Sequence, residues 1–157
     1  MHEPLPASPP EGFVPAPIGG VFAAHCGELF ARWLDGRIQV GFRVQPHQVN
    51  PGNACHGGML CTFADIVLST AAHYQTDIPR AFLPTISLQM DFLAPAPLGS
   101  WVQGEAQILK VTKNLIFSQG LVHSDGVVVM RSSGVFRRGP LLPETGSDQA
   151  LQLPGMK

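Results

Sequence analysis

The stretch VNPGNACHGGMLCTFADIVLSTAAHYQ, residues 49–75, holds the side chains whose types and spacing could do chemistry. It opens with Asn50 and His56-Gly57-Gly58, then carries a single acid, Asp65, among Phe63, Ile66, Val67 and Leu68. No Lys or Arg stands between Asn50 and Pro79. A charge set among apolar side chains is costly unless something specific receives it. The apolar spacing predicts a helix over residues 56–76, and at about 100° per residue Asp65 shares its face with Gly58, Cys61, Thr62, Ser69 and Ala72. The opposite face carries Leu60, Phe63, Val67 and Tyr74, with Met59 and Ile66 at its edge. The large face should pack on a sheet, while the small face leaves room for a substrate or another backbone.

The start of that helix offers a second group. Gly57 and Gly58 have no side chains to block approach, and the first N–H groups of a helix lack internal partners. Such donors suit negative charge, including the oxyanion formed when a carbonyl is attacked. Asn50 and His56 flank the turn and can hydrogen-bond there. Eight residues separate Gly57 from Asp65, about 12 Å along a helix, whereas a catalytic acid must lie within about 3 Å of the reacting atoms. Asp65 cannot serve the N-terminus of its own helix. A second copy related by a two-fold axis could bring its Asp65 to this Gly57, so the spacing predicts an obligate dimer with two composite sites.

Plainer readings compete. Asp65 can be a structural acid bonded to nearby hydroxyls, His56 can simply cap the helix, and the glycines can serve close packing. Cys55 beside His56 suggests a thiol nucleophile, but adjacent residues rarely face each other and no third, orienting group is evident. His25, His47, His73 and His123 lack metal-ligand spacing, so no metal is expected.

The positioning elements follow from pattern. The segment GGVFAAHCGELFARWLDG spaces Phe22, Cys26, Leu29, Phe30, Trp33 and Leu34 at three to four, predicting an amphipathic N-terminal helix stopped by Gly36. RIQVGFRVQP alternates Ile38, Val40, Phe42 and Val44 as a half-buried strand. After Pro79 come four more extended runs, TISLQMDFL, SWVQGEAQILKVT, LIFSQGLVHS and VVVMRSSGVFRR. Their links, APAPLG, TKN and SDG, are short and predict antiparallel neighbours. One long helix and about five strands make an α+β layer, a curved antiparallel sheet wrapped on a central helix. Residues 1–18, rich in proline, are expected to be a flexible arm, residues 19–138 the folded domain, and residues 139–157 a flexible tail.

Composition narrows the class. The chain of 157 residues is 45% apolar and only 13% charged, about half the usual charged share, which favours self-association. Net charge is −1 and the cations are scattered, so neither a nucleic-acid footprint nor a membrane surface is indicated. Cys26, Cys55 and Cys61 form no paired motif, which points to reduced thiols and a cytoplasmic location. The start, MHEPLPASPPEG, lacks the order of a secretory signal.

Asn50, His56-Gly57-Gly58 and Asp65, in this register, resemble the hotdog-fold thioesterases of the phenylacetate-pathway (PaaI-like) type. The likeness runs through PTISLQMDFLAPAPLG and the hairpins to Arg138. The resemblance implies hydrolysis of an acyl-coenzyme A thioester without a metal or redox cofactor. It implies that Asp65 is general base or nucleophile, that the Gly57 amide polarises the carbonyl with help from His56, and that Asn50 places carbonyl or water. Ser69 and Thr85 match positions where hydroxyls steady the acid or water, and Gly58 and Cys61 would border the substrate. Lys113, Arg137 and Arg138 could meet coenzyme A phosphates. Family members commonly form homotetramers, as dimers of dimers. One departure is Asn53, which stands where a glycine is expected; Asn tolerates left-handed backbone better than most residues. The alternatives are a hotdog protein that binds acyl-CoA without hydrolysing it, and a dehydratase acting on acyl carrier protein, whose surrounding motif is absent.

Overall fold

Helix α2 (Gly57–Tyr74) is the element around which the fold is arranged. The structure, a computed structural model, describes residues 8–143 and 150–157. The large face of α2 lies on the sheet as its pattern requires, with Leu60, Phe63 and Val67 buried. Phe63 meets Phe42 edge to face, ring centroids 4.9 Å apart. The helix comes close because the sheet has a glycine beneath it: a Cβ at Gly104 would lie 3.1 Å from Val67 and 3.2 Å from Phe63. On the opposite face Gly58 is exposed, and Cys61, Thr62, Asp65 and Ser69 are half-buried. Ala72, expected there, is buried, because near its C-terminal end the helix is enclosed all round: Thr70, Ala71 and Ala72 are buried in succession.

Seven strands form one antiparallel sheet: β1 (Val14–Pro15), β2 (Phe30–Leu34), β3 (Arg37–Arg43), β4 (Thr85–Phe92), β5 (Trp101–Val111), β6 (Leu115–Ser124) and β7 (Val127–Arg137). Their spatial order is β1-β2-β3-β5-β6-β7-β4. This is the hotdog architecture, helix against curved sheet. The five runs read from sequence are strands, and the alternation along β3 is confirmed by burial of Ile38, Val40 and Phe42.

Two expectations require correction. The N-terminal helix, α1, covers only Gly20–Cys26. Gly27, at φ 140, ends it, and Phe30–Leu34 turns back against β3 through Asp35-Gly36, at φ 51 and 75. Positive φ at both central residues is the signature of a tight hairpin. The spacing of Phe30, Trp33 and Leu34 imitated a helix across what is a strand. The second correction concerns APAPLG. β4 and β5 are not neighbours; β4 lies at the far edge beside β7, and β3 pairs with β5. The link crosses the end of the sheet, and on its way Ala96 O accepts from Cys55 N at 2.7 Å while Ala54 bridges Pro97. It therefore clamps the loop that precedes α2.

The expected arm and tail lie partly outside the described residues, at 1–7 and 144–149. The described parts are packed. Phe13 and Ala16 are buried, Phe13 stacks edge-on to Trp101 at 5.0 Å, and Pro15 is accommodated because β1 is an edge strand. Beyond Arg138, Leu141 bridges Ala81 and Leu153 is buried in the core. No helix among the described residues is long and apolar enough to cross a membrane.

Candidate active site

The loop before α2 is held by its own backbone. Asn50 N donates to Ala54 O at 2.8 Å, Asn53 N donates to Asn50 O at 2.9 Å, and Asn53 sits at φ 59, the left-handed region an Asn tolerates. The Asn50 side chain belongs to this turn: its Oδ1 accepts from Gly52 N at 2.9 Å and Ala54 N at 3.2 Å. That leaves its Nδ2 as the group able to face a substrate. His56 caps the helix, its Nδ1 accepting from Gly58 N at 2.9 Å. A capping Nδ1 is unprotonated, which in the neutral ring puts the proton on an exposed Nε2. The Gly57 N–H, first of the helix, has no hydrogen-bond partner among the described residues. Gly58, Met59 and Leu60 N–H are taken by His56, so the Gly57 N–H is the free backbone donor at the N-terminus of α2.

Asp65 lies two turns further along, half-buried. Its Oδ1 accepts from Thr85 Oγ1 at 2.7 Å, while its Oδ2 has no partner among the described residues. A bulge explains how Thr85 reaches it. The register of β4 on β7 shifts between Thr85 and Ser87, leaving Ile86 extra, so that Thr85 pairs with the fully buried Phe136 and faces the helix. Ser69, one turn beyond Asp65, donates instead to the Asp65 carbonyl at 2.9 Å and the Ile66 carbonyl at 3.2 Å. Thr62 likewise bonds back to Gly58 O, at 3.0 Å. Of the two hydroxyls, Thr85 touches the carboxylate and Ser69 does not.

Asp65 opens into a groove of about 820 Å³ that also takes in Thr62, Ser69 and Thr85. The groove has further walls that sequence reasoning missed: Phe22 of α1, Phe82, Tyr74, and Leu151 and Met156 from the tail. Cys61 is half-buried beside this face but does not line the groove. Arg137 and Arg138 stand at the Thr85 end of the sheet, where Arg137 N donates to Pro84 O at 2.9 Å and Arg138 N to Asn114 O at 2.8 Å, next to Lys113. One Arg138 nitrogen is occupied by Thr112 O, at 3.1 Å. Cys55 is buried, and burial pushes its thiol up to about 11, which disfavours the nucleophilic thiolate. Burial lowers the pKa of His73, whose Nε2 donates to Ala81 O at 2.7 Å.

The fold is the hotdog architecture, and the class of protein it belongs to follows from its likeness to known proteins. Residues 52–130 match the family model of the thioesterase superfamily. A Pseudomonas aeruginosa protein, provisionally named an esterase, is 30% identical over 128 residues, spanning 81% of this chain and 95% of the relative. A phenylacetic acid degradation-related protein of Ralstonia eutropha shares the fold at 25% identity and TM-score 0.66, over 78% of this chain and 92% of that one. So does a Bacillus halodurans protein solved with coenzyme A, at 24% identity and TM-score 0.62, over 69% and 72%. The chain belongs to the thioesterase superfamily.

Proposed function

We propose that the protein hydrolyses an acyl-coenzyme A thioester to the free acid and coenzyme A, in sites shared between two copies of the chain. The observation that carries this reading is the path of β4. At one end of the strand Thr85 holds Asp65; at the other, the Phe92 ring lies 3.7 Å from where a Gly57 Cβ would stand. β4 is an edge strand, and Ile86, Phe92 and Leu93 on or next to it are 56%, 53% and 57% exposed. A free apolar edge invites pairing. If two copies pair antiparallel about a two-fold axis at the middle of β4, Thr85 of one meets Phe92 of the other. The carboxylate of each chain then arrives at the helix N-terminus of its mate, spanning the gap of about 12 Å that separates them within one chain.

In that site the Gly57 N–H and the His56 Nε2–H receive the thioester oxygen, and the end of the helix stabilises the negative charge that builds there. The carbonyl is attacked by a water whose proton passes to Asp65 Oδ2, or by Oδ2 itself with water opening the resulting anhydride. The tetrahedral intermediate collapses by breaking the C–S bond: in the first route the sulfur takes the proton held by Asp65, and in the second it leaves as a thiolate, the proton being released when water opens the anhydride. Thr85 keeps Oδ2 aimed by holding Oδ1, and the Asn50 Nδ2 lies on the loop beside the carbonyl. The chemistry calls for no metal or redox group. A coenzyme A partner is supported by the Bacillus halodurans neighbour that binds it, and Lys113 and Arg137, at the Thr85 end of the sheet, are the cations that would meet its phosphates. Two such dimers would build the tetramer common among relatives.

The test is release of free thiol from a panel of acyl-CoAs by the wild type and by Asp65→Asn. Loss of about 10²-fold or more in turnover is expected, the scale of acid–base catalysis. Full turnover in the variant would eliminate the mechanism, and binding of acyl-CoA without thiol release would select a sensor or carrier.

A further inference from the structure

Beyond Asp65 the groove follows α2 past Ile66, Ser69, Thr70 and His73 and reaches Tyr74, half a turn round the helix, and all of these line its 820 Å³. That volume falls within the range of small-molecule sites. The far end is where the tail comes in. Leu151 N donates to the Tyr74 hydroxyl at 2.9 Å, Leu153 is buried, and Leu151 and Met156 pack against the core. A local turn, Met156 N to Leu153 O at 3.1 Å, folds the tail's end back on itself. The Tyr74–Leu151 bond joins the last turn of the helix to a segment 77 residues away.

We infer that the acyl group runs from Asp65 along this groove, and that residues 150–157, latched to Tyr74, close its far end and set the longest acyl chain accepted. The inference rests on the acyl-CoA reading above and adds a determinant of specificity to it. Asp65 and Tyr74 are nine residues apart on one helix, about 13 Å along its axis. An extended chain advances about 1.3 Å per bond, since three backbone bonds span 3.8 Å, so the axial distance from Asp65 to Tyr74 corresponds to about ten carbons. Apolar Ile66, Phe22, Phe82 and Leu151 suit an alkyl or aryl group. His73 donates to Ala81 O and is favoured in its neutral form by burial, so it adds no charge opposite that group. The substrate class is therefore a medium-chain or aryl acyl thioester rather than a long-chain one.

The experiment measures equilibrium binding of non-hydrolysable S-alkyl-CoA thioethers, from butyl to hexadecyl, to the full chain, to a chain ending at Gln149, and to Tyr74→Phe. For the full chain, affinity should tighten about fourfold per methylene and stop near decyl. Without the tail the tightening should run on past dodecyl, and Tyr74→Phe, which removes only the acceptor of the latch, should move the break in the same direction. Should the shortened chain fail to fold, Tyr74→Phe and Leu151→Ala carry the test. A break unmoved in every folded variant, or no dependence on length, overturns the proposal. Because the probes are not cleaved, the outcome is separate from catalysis. Thiol release with an unmoved break sinks the tail's role alone, and a moved break without thiol release keeps the groove while sinking hydrolysis.

Discussion

Replacing Gly57 by proline exchanges its N–H for a ring carbon at a position that suits the ring. Gly57 is the first residue of α2, a position where proline is favoured because its missing N–H has no helical partner. The preceding residue, His56, already sits at φ −60, ψ 136, the extended region that a residue before proline adopts. A Cβ there meets Phe92 at 3.7 Å, ordinary contact. Gly57→Pro should therefore fold with an unfolding midpoint equal to or slightly above that of the parent, since a compatible proline stabilises by about 0.4–1 kcal/mol. What is lost is the donor to the oxyanion, a loss of about 10²–10³ in kcat, or about 2.7–4 kcal/mol. Gly57→Ala keeps the N–H and should stay within a few-fold of wild type. Gly57→Ala controls for the added Cβ, so the difference between the two variants reports the exchange of the N–H for a ring carbon. Sharing between subunits is then read by pairing two inactive chains, Asp65→Asn and Gly57→Pro, under different tags. In the purified heterodimer one site joins the intact Asp65 of one chain to the intact Gly57 of the other, so about half of wild-type turnover per dimer should return. A folded Gly57→Pro with undiminished kcat would refute the amide's role, and a heterodimer no more active than its parents would refute the shared site.

Thr85→Val deletes the donor to Asp65 Oδ1 at nearly constant volume; a hydrogen bond to a charged group contributes about 1.5–3 kcal/mol, so thiol release should slow by roughly ten- to a hundredfold, while Thr85→Ser should restore it. Stability should also depend on His73. Its folded pKa is lowered, by burial first, from the ordinary value of 6.5, so the unfolded chain takes up a proton that the native state resists. This contribution is present above 6.5 and is lost as pH falls from there through the lower, folded value. The thermal midpoint should decline over that window, and His73→Gln, which can keep a donor toward Ala81 O, should flatten the decline.

What could be read from sequence divides along contact distance. The helix pattern from Leu60 to Tyr74 is contained in one contiguous stretch, so Asp65, Gly57 and the small face between them were legible, as was the left-handed turn at Asn53. The SDG hairpin was equally local. Local signals also conflicted, and there the wrong one was followed: Phe30, Trp33 and Leu34 fit a helical period, yet Gly27 at φ 140 and the Asp35-Gly36 turn end the helix and start a hairpin. The docking of Leu151 and Leu153 was not legible, because isolated apolar residues among prolines show no period until something for them to cover is known. The bulge at Ile86 and the place of β4 at the edge beside β7 were hidden for the same reason, since strand order is decided by which partners are already taken. β4 is nonetheless the element that matters most to the site. The residues that could do chemistry announced themselves on α2 but stood about 12 Å apart, and the strand that touches both, Asp65 through Thr85 and Gly57 through Phe92, is also an edge strand of the sheet. The proposal of a second copy thus starts from a helix, and the means proposed for meeting it lies in a strand whose position only the folded chain reveals.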